Sequence, residues 1–317
     1  MKVFLGLLFH MGMIQMPRIH DYWKKDPLFK LDCFSTKMSR NHFLLTLWCL
    51  HFATNPKPGE PNPHGRLVKI KSMLDLFNNT IDNVYYLGKN LSPDESMVLW
   101  RGHLIFRQYI KRKRYKYGIK LYMLTEDNGM VLRILVYTGQ IDNLGGKVHA
   151  SNVVLKPMDT KLNVGHVLYM DNFYNSYDLA LQLLQADTYC TGILCSNLKN
   201  NPDEVTKSKL QKGECKCQYA IGVAVTKWKD KRDNLFISTE YEDSIVETVN
   251  KRRQKVQKPH AIEKYNHISG VNLQDQMFSY YPCERKTVRW YKKIGIHLFQ
   301  IMLLNAHNLH SQYTTRS

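Results

Sequence analysis

From about residue 92 to residue 194 the chain alternates apolar or β-branched runs with helix-spaced stretches, and this alternation limits the fold more than any other feature. Residues 97–109, 119–124 and 130–137 read as strands. Glu126-Asp127-Asn128-Gly129 separates the last two and predicts a hairpin. Residues 152–162 predict a short helix, and residues 164–170 an apolar strand that ends on Asp171-Asn172. Ser176 then stands as the N-cap of a helix to about Gln185, and residues 189–194 give a further strand. Three strands with a hairpin, followed by helix, strand, helix and strand, is a mixed α/β order.

That order fits a ribonuclease-H-like sheet. The residues before it read as helical. In the segment 66–85, Leu67, Ile70, Leu74, Phe77, Ile81 and Val84 fall three and four apart, which places them on one helical stripe. Residues 1–16 are apolar, but His10 interrupts them and no small-residue cleavage site follows. They are also shorter than the ~20 apolar residues a membrane span requires. A buried helix is expected there. The prolines of 55–63 predict a loop. After residue 195 the pattern changes to polar loops and short strands such as 235–239, with a basic loop over 251–258. A helical segment from Gly270 and a strongly apolar helix over 290–310 follow.

Charge gives the first functional constraint. Lys and Arg number 45 against 27 Asp and Glu, a net +18, with a pI near 9.5. Such an excess favours a polyanionic partner through phosphate neutralisation and counterion release. Nucleic acid is the first candidate and an anionic membrane surface the second; a basic protein with no such partner is the third reading. With 44% hydrophobic and 23% charged residues the composition is globular, which excludes the disordered and fibrous classes. The seven cysteines stand at 33, 49, 190, 195, 215, 217 and 283. Only Cys215 and Cys217 are close, with no second pair to complete a zinc quartet, so reduced thiols are expected.

Two acids stand where a strand meets a turn. Asp94-Glu95 falls where the first strand is expected to begin, and Asp171 ends the run 164–170. Phosphodiester chemistry on such a sheet uses divalent ions held by acidic side chains, one activating the attacking oxygen and the other steadying the leaving oxygen. An acid at the end of an apolar strand is costly to desolvate without a cation or a hydrogen-bond partner. The alternative for each is an ordinary turn or cap aspartate.

Five motifs in order carry a resemblance. They are Leu91-Ser92-Pro93-Asp94-Glu95 with Arg101-Gly102-His103, then Lys116-Tyr117-Gly118-Ile119-Lys120, then Val167-Leu168-Tyr169-Met170-Asp171-Asn172-Phe173-Tyr174-Asn175-Ser176. Tyr265-Asn266 with Gly270-Val271-Asn272-Leu273-Gln274-Asp275-Gln276, and Arg285-Lys286-Thr287-Val288-Arg289-Trp290, complete the series, and Met16-Pro17-Arg18-Ile19-His20-Asp21-Tyr22-Trp23 precedes it. The chain resembles the core of a piggyBac-family DNA transposase.

The resemblance implies an α/β fold: a ribonuclease-H-like catalytic core with a flanking helical domain and a β-rich insertion. It divides the chain into a helical DNA-binding or dimerisation region (1–88), the core (89–194), the insertion (195–260), the third-motif helix (261–280) and C-terminal helices that pack with the N-terminal region (281–317). It implies Mg²⁺ or Mn²⁺ as cofactor, with Asp94, Asp171 and position 272 as ligands. Position 272 is Asn here, where the family has Asp. Asn keeps a carbonyl oxygen and loses the charge that hard cations require. Asp275 lies three residues on, near the same helix face, and is a fourth candidate.

Double-stranded DNA is the implied partner, a homodimer is compatible with the resemblance, no membrane partner is expected, and the nucleus is the expected location. The cations and aromatic expected at DNA are Arg101, Arg112, Arg114, Lys116, Arg285, Lys286, Arg289 and Trp290. For the run 107–116 a solvated strand edge remains an equal reading, and for Trp290 a core anchor remains open. The family also carries an acidic N-terminal region and a cysteine-rich zinc domain that reads transposon ends. No Cys/His array follows Tyr313, so sequence-specific end recognition is not expected of these residues. Three functions are therefore carried forward: a transposase-derived DNA-binding protein with impaired strand cleavage and transfer, an active metal-dependent cut-and-paste transposase, and an interaction scaffold built on the same core.

Overall fold

The computed structural model places the alternating segment in one mixed sheet and describes residues 1–314 except 55, 56, 58, 60–64, 112, 114, 140–148, 250–252, 269, 285, 286 and 288, the side chains of 270–272 being outside the description as well. In chain order, helices α1 (Lys2–Met13), α2 (Asp32–Ser35), α3 (Arg40–Cys49) and α4 (Lys71–Val84) precede strands β1 (Asn90–Leu99), β2 (Gln108–Tyr109), β3 (Tyr117–Glu126) and β4 (Val131–Val136). Next come α5 (His149–Met158), β5 (Val167–Met170), α6 (Tyr177–Gln185), β6 (Tyr189–Ile193) and α7 (Asp203–Thr206). The strands β7 (Cys215–Ala220), β8 (Val223–Lys229), β9 (Asp233–Ser238), β10 (Ile245–Val249) and β11 (Lys255–Pro259) lead to α8 (His260–His267), α9 (Gly270–Tyr280) and α10 (Trp290–Thr314). Two units form: Met1–Thr80 with Met97–Ile119 and Leu273–Ser317, and Ile81–Ser96 with Lys120–Asn272.

The first unit is built around α1. Phe4, Leu7, Leu8 and Met11 recur at helical spacing and pack with Tyr22, Phe34, Phe43, Cys283 and Ile296. Of residues 1–16, expected as a buried helix, Lys2–Met13 form one that buries a single face and leaves Val3 and Met13 exposed. Among the described residues no helix is long and apolar enough to cross a membrane. Lys292, deep on α10, donates from Nζ to the carbonyls of Leu47 at 2.8 Å and Trp48 at 2.5 Å, in the last turn of α3. Those carbonyls have no partner within their own helix, so a cation there satisfies them. Burial first, and the Arg289 charge second, hold the Lys292 ammonium below its usual range.

The second unit carries the sheet, in which the order β3-β1-β5-β6-β9-β8-β7 is continuous and β4 pairs with β3. β1, β5 and β6 are mutually parallel, and β4 and β9 run antiparallel to their neighbours. The β3–β4 hairpin turns at Gly129, whose φ of 83° is the left-handed conformation that glycine adopts freely. α6 makes the crossover from β5 to β6, and the Leu179 N–H donates to the Ser176 hydroxyl at 3.2 Å, the cap the sequence predicts. The buried Lys161 and the half-buried Arg133 both bind Asp82.

Several expectations are corrected. The first strand starts at Asn90 and stops at Leu99 instead of running over 97–109, so Asp94 lies within it rather than at its beginning. The reason is Pro93, which lacks an N–H and reads as a break. Only Asn90 and Leu91 pair with β5 through backbone register, and at Ser92 the side-chain hydroxyl instead donates to the Tyr169 carbonyl at 3.2 Å. The helix over 66–85 starts only at Lys71, after a 3₁₀ turn at Gly65–Leu67, and Val84 at the end of its stripe is exposed. The segment 195–260, expected to carry short strands, extends the sheet, since β9 pairs with β6. Within the expected basic loop over 251–258, residues from Lys255 form β11, paired with β10. Much of the proline-rich stretch 55–63 lies outside the described residues.

Candidate active site

The two aspartates expected from the sequence stand on neighbouring parallel strands or just beyond them, Asp94 within β1 and Asp171 directly after β5. Asn90 is opposite Val167 and Leu91 opposite Leu168. Backbone pairing with β5 stops at Leu91, so Asp94 and Asp171 are related by the side chains around them and not by strand register. Tyr265 on α8 senses both acids: burial, then the Asp171 and Asp94 carboxylates, push its hydroxyl up to about 12.

Each acid is held by its own backbone. Asp94 Oδ1 accepts from the Glu95 N–H at 2.7 Å, and Asp171 Oδ1 accepts from the Phe173 N–H at 2.9 Å. The turn that carries Asp171 is locked by Asn175, only 2% exposed. Its Nδ2 donates to the Met170 carbonyl at 2.8 Å and the Ile193 carbonyl at 2.9 Å, tying the end of β5 to the end of β6. Tyr174 donates its hydroxyl to Glu95 Oε2 at 3.0 Å. Burial, followed by the Glu95 and Asp94 charges, holds that hydroxyl well above the ordinary tyrosine range. Glu95, Tyr174, Asn175 and Tyr265 have no assigned role in the sequence reading. The available signal was an Asn just ahead of a Ser cap, a pairing typical of tight turns.

The third motif is divided by the structure. Asn272 lies in α9, but its side chain is outside the described residues. Asp275 follows on the same helix and belongs to the first unit, whereas Asp94 and Asp171 belong to the second. Among the described residues, no group of three or more His, Cys, Asp or Glu side chains is arranged to hold a metal. The donor chemistry of Asp94 and Asp171, two hard carboxylates with the neutral Tyr174 and Tyr265 hydroxyls near them, fits a hard divalent cation.

The expected DNA contacts fall in several places. Arg101 and Lys116 are exposed and line one open pocket in the first unit. Arg289 is half-buried, with its guanidinium 3.3 Å from His51 Nε2 and 3.4 Å from the Tyr291 hydroxyl. Trp290 meets Phe106 edge-on at 5.3 Å, so its ring serves as an anchor for the start of α10. Arg112, Arg114, Arg285 and Lys286 lie outside the described residues. All seven cysteines are free.

The transposase IS4 family model matches residues 1–307. Human piggyBac transposable element-derived protein 3 is 23% identical over 98% of this chain and 55% of its own length. Human piggyBac transposable element-derived protein 2 gives the same identity and coverage. The chain thus spans about half the length of the curated relatives it matches. A piggyBac transposase, solved by cryo-electron microscopy as a synaptic complex with hairpin DNA, superimposes with a TM-score of 0.82 at 24% identity, over 98% of this chain and 66% of that one. This likeness shows the fold, a ribonuclease-H-like core. Matched by the family model over residues 1–307, the chain belongs to the transposase IS4 family and is similar within it to the piggyBac-derived proteins.

Proposed function

We propose that this chain is a DNA-binding protein derived from a piggyBac-type transposase, with a carboxylate site that takes a divalent ion weakly and supports little strand cleavage or transfer. The observation that carries this reading is that Asp94 of β1 and Asp171, directly after the neighbouring parallel strand β5, both bear on the Tyr265 hydroxyl. Those two residues would hold Mg²⁺ or Mn²⁺, and at position 272, where the resemblance implies a third carboxylate, the sequence has Asn. When bound, the ion supplies activation of an attacking oxygen and charge stabilisation on a leaving one. What this chain contributes is a fixed pair of carboxylates, and what it lacks at position 272 is the third negative charge. The net charge of +18 supports DNA as the partner, and a nuclear place of action follows only if that partner is right. A homodimer on DNA belongs to the same proposal.

Calorimetric titration of Mn²⁺ tests the reading. The native protein should bind weakly, Asn272→Asp should gain about tenfold or more, and Asp94→Asn should lose binding. Tight binding of two ions by the native chain would instead favour an active transposase. Salt-insensitive or absent DNA binding would favour the scaffold reading.

A further inference from the structure

We infer that the open pocket of the first unit seats an unpaired deoxynucleotide of a DNA strand, with its phosphate on Arg101 and Lys116 and its base on Tyr117. This rests on the DNA-binding reading above and adds that the strand is opened where the pocket grips it.

The pocket has a volume of about 720 Å³ and is lined, among the described residues, by Leu99, Arg101, Arg107, Tyr115, Lys116 and Tyr117. That volume is within the ~300–1,000 Å³ typical of ligand sites. Three of these six residues are cations, two are tyrosines and none is acidic.

The frame is fixed by the backbone. Tyr117 pairs with Tyr109 across β2 and β3, its carbonyl accepts from the Trp100 N–H at 3.3 Å, and the Ile110 N–H donates to the Lys116 carbonyl at 2.9 Å. Gly118 follows because a Cβ there would run into the Val98 carbonyl oxygen. Arg107 donates to the Arg101 carbonyl at 3.0 Å and the Gly102 carbonyl at 3.3 Å, and its guanidinium lies 5.6 Å from the Tyr117 ring centre. Its charge is thereby held in the pocket wall. Tyr117, the first residue of β3, leans on the Tyr109 ring at 4.8 Å and is nonetheless 48% exposed, so part of its ring faces the pocket's solvent.

Cations beside an exposed aromatic suit an unpaired nucleotide better than a duplex. A closed duplex offers phosphates but keeps its base faces stacked, whereas an unpaired base presents a face to a tyrosine. A free mononucleotide shares this chemistry. Three cations around one pocket fit the successive phosphates of a strand, and a mononucleotide brings only one phosphate.

The test compares three probes by fluorescence anisotropy and competition: a blunt duplex, the same duplex with a short single-stranded overhang, and thymidine monophosphate. The overhang should bind about 5- to 10-fold tighter than the blunt end. Tyr117→Ala should remove that advantage, Tyr117→Phe should keep it, and Lys116→Ala should weaken the overhang more than the blunt duplex. Thermal melts of each variant check that the fold persists. Equal binding of blunt and overhang probes overturns the pocket assignment while leaving DNA binding standing. An advantage that survives Tyr117→Ala also overturns it. Competition by thymidine monophosphate at the concentration at which the overhang strand competes would assign the pocket to a free nucleotide instead. If neither duplex binds, the DNA reading fails and this inference with it.

Discussion

Gly192 of β6 and Asn175 approach so closely that a Cβ at position 192 would stand 2.5 Å from the Asn175 side-chain nitrogen and closer still to the Met170 carbonyl. The Asp171 turn is therefore seated against bare backbone. The amide that locks it has room only because β6 carries no side chain at that point.

Gly192→Ala is expected to cost about 2 kcal/mol or more, because a methyl group forced into close-packed backbone must displace it. Since the displaced group is the clamp on Asp171, Mn²⁺ affinity should fall together with stability. Urea denaturation and calorimetry on one variant measure both. A stable variant with native metal affinity would show that Asn175 does not position the site.

The pH dependence follows from Tyr265. Its folded pKa, pushed up to about 12, exceeds the ordinary value near 10. A neutral hydroxyl is thus favoured in the folded state. Its contribution to stability is complete below pH 10 and is lost as pH rises from about 10 towards 12. Tyr265→Phe should flatten the stability profile in that window. Asp94→Asn with Asp171→Asn should lower the tyrosine's own titration midpoint, read by absorbance at alkaline pH. A midpoint unmoved by the double substitution would mean that the acids do not face Tyr265.

Gln274 is fully buried in the first unit, and neither its amide oxygen nor its nitrogen has a hydrogen-bond partner among the described residues. A buried polar group left without a bond costs ~1–3 kcal/mol. Gln274→Leu, of similar volume, should raise the midpoint of chemical unfolding by a corresponding amount. A lower midpoint would indicate an ordered water or ion bound to that amide.

Arg289→Ala is expected to change the salt slope of DNA binding by less than the one unit typical of a phosphate contact, because its guanidinium is turned toward His51 and Tyr291. Lys292→Met should leave the slope alone and lower stability instead, since its ammonium is used up on α3 carbonyls. Salt titrations of both variants distinguish the two roles. A full unit lost at Arg289 would return it to the DNA interface.

Where local chemistry decides the structure, the sequence was readable. Ser176 caps a helix because a hydroxyl before an amphipathic run has an N–H to accept from, and Asp171 closes an apolar strand because the run stops there. Pro93 misled because its missing N–H reads as a break, whereas in the fold the Ser92 hydroxyl takes up the neighbouring carbonyl and the strand continues to Leu99. Glu95 and Tyr174 were invisible as a pair because 79 residues separate them, and only the pairing of β1 with β5 brings them together. Tyr265 lay within a recognised motif, yet its relation to the two acids comes from packing.

The attachment of β9 to β6 determines how the core sheet ends. Without it, β6 would present a row of unpaired backbone groups, a template on which another chain could add. With β9, β8 and β7 added, the margin passes to β7, a strand largely open to solvent that carries Lys216 and Gln218. Segment 195–260 is thus a selvedge for the fabric of the core. A chain trimmed of it would be expected to polymerise through β6 before any loss of chemistry could be measured.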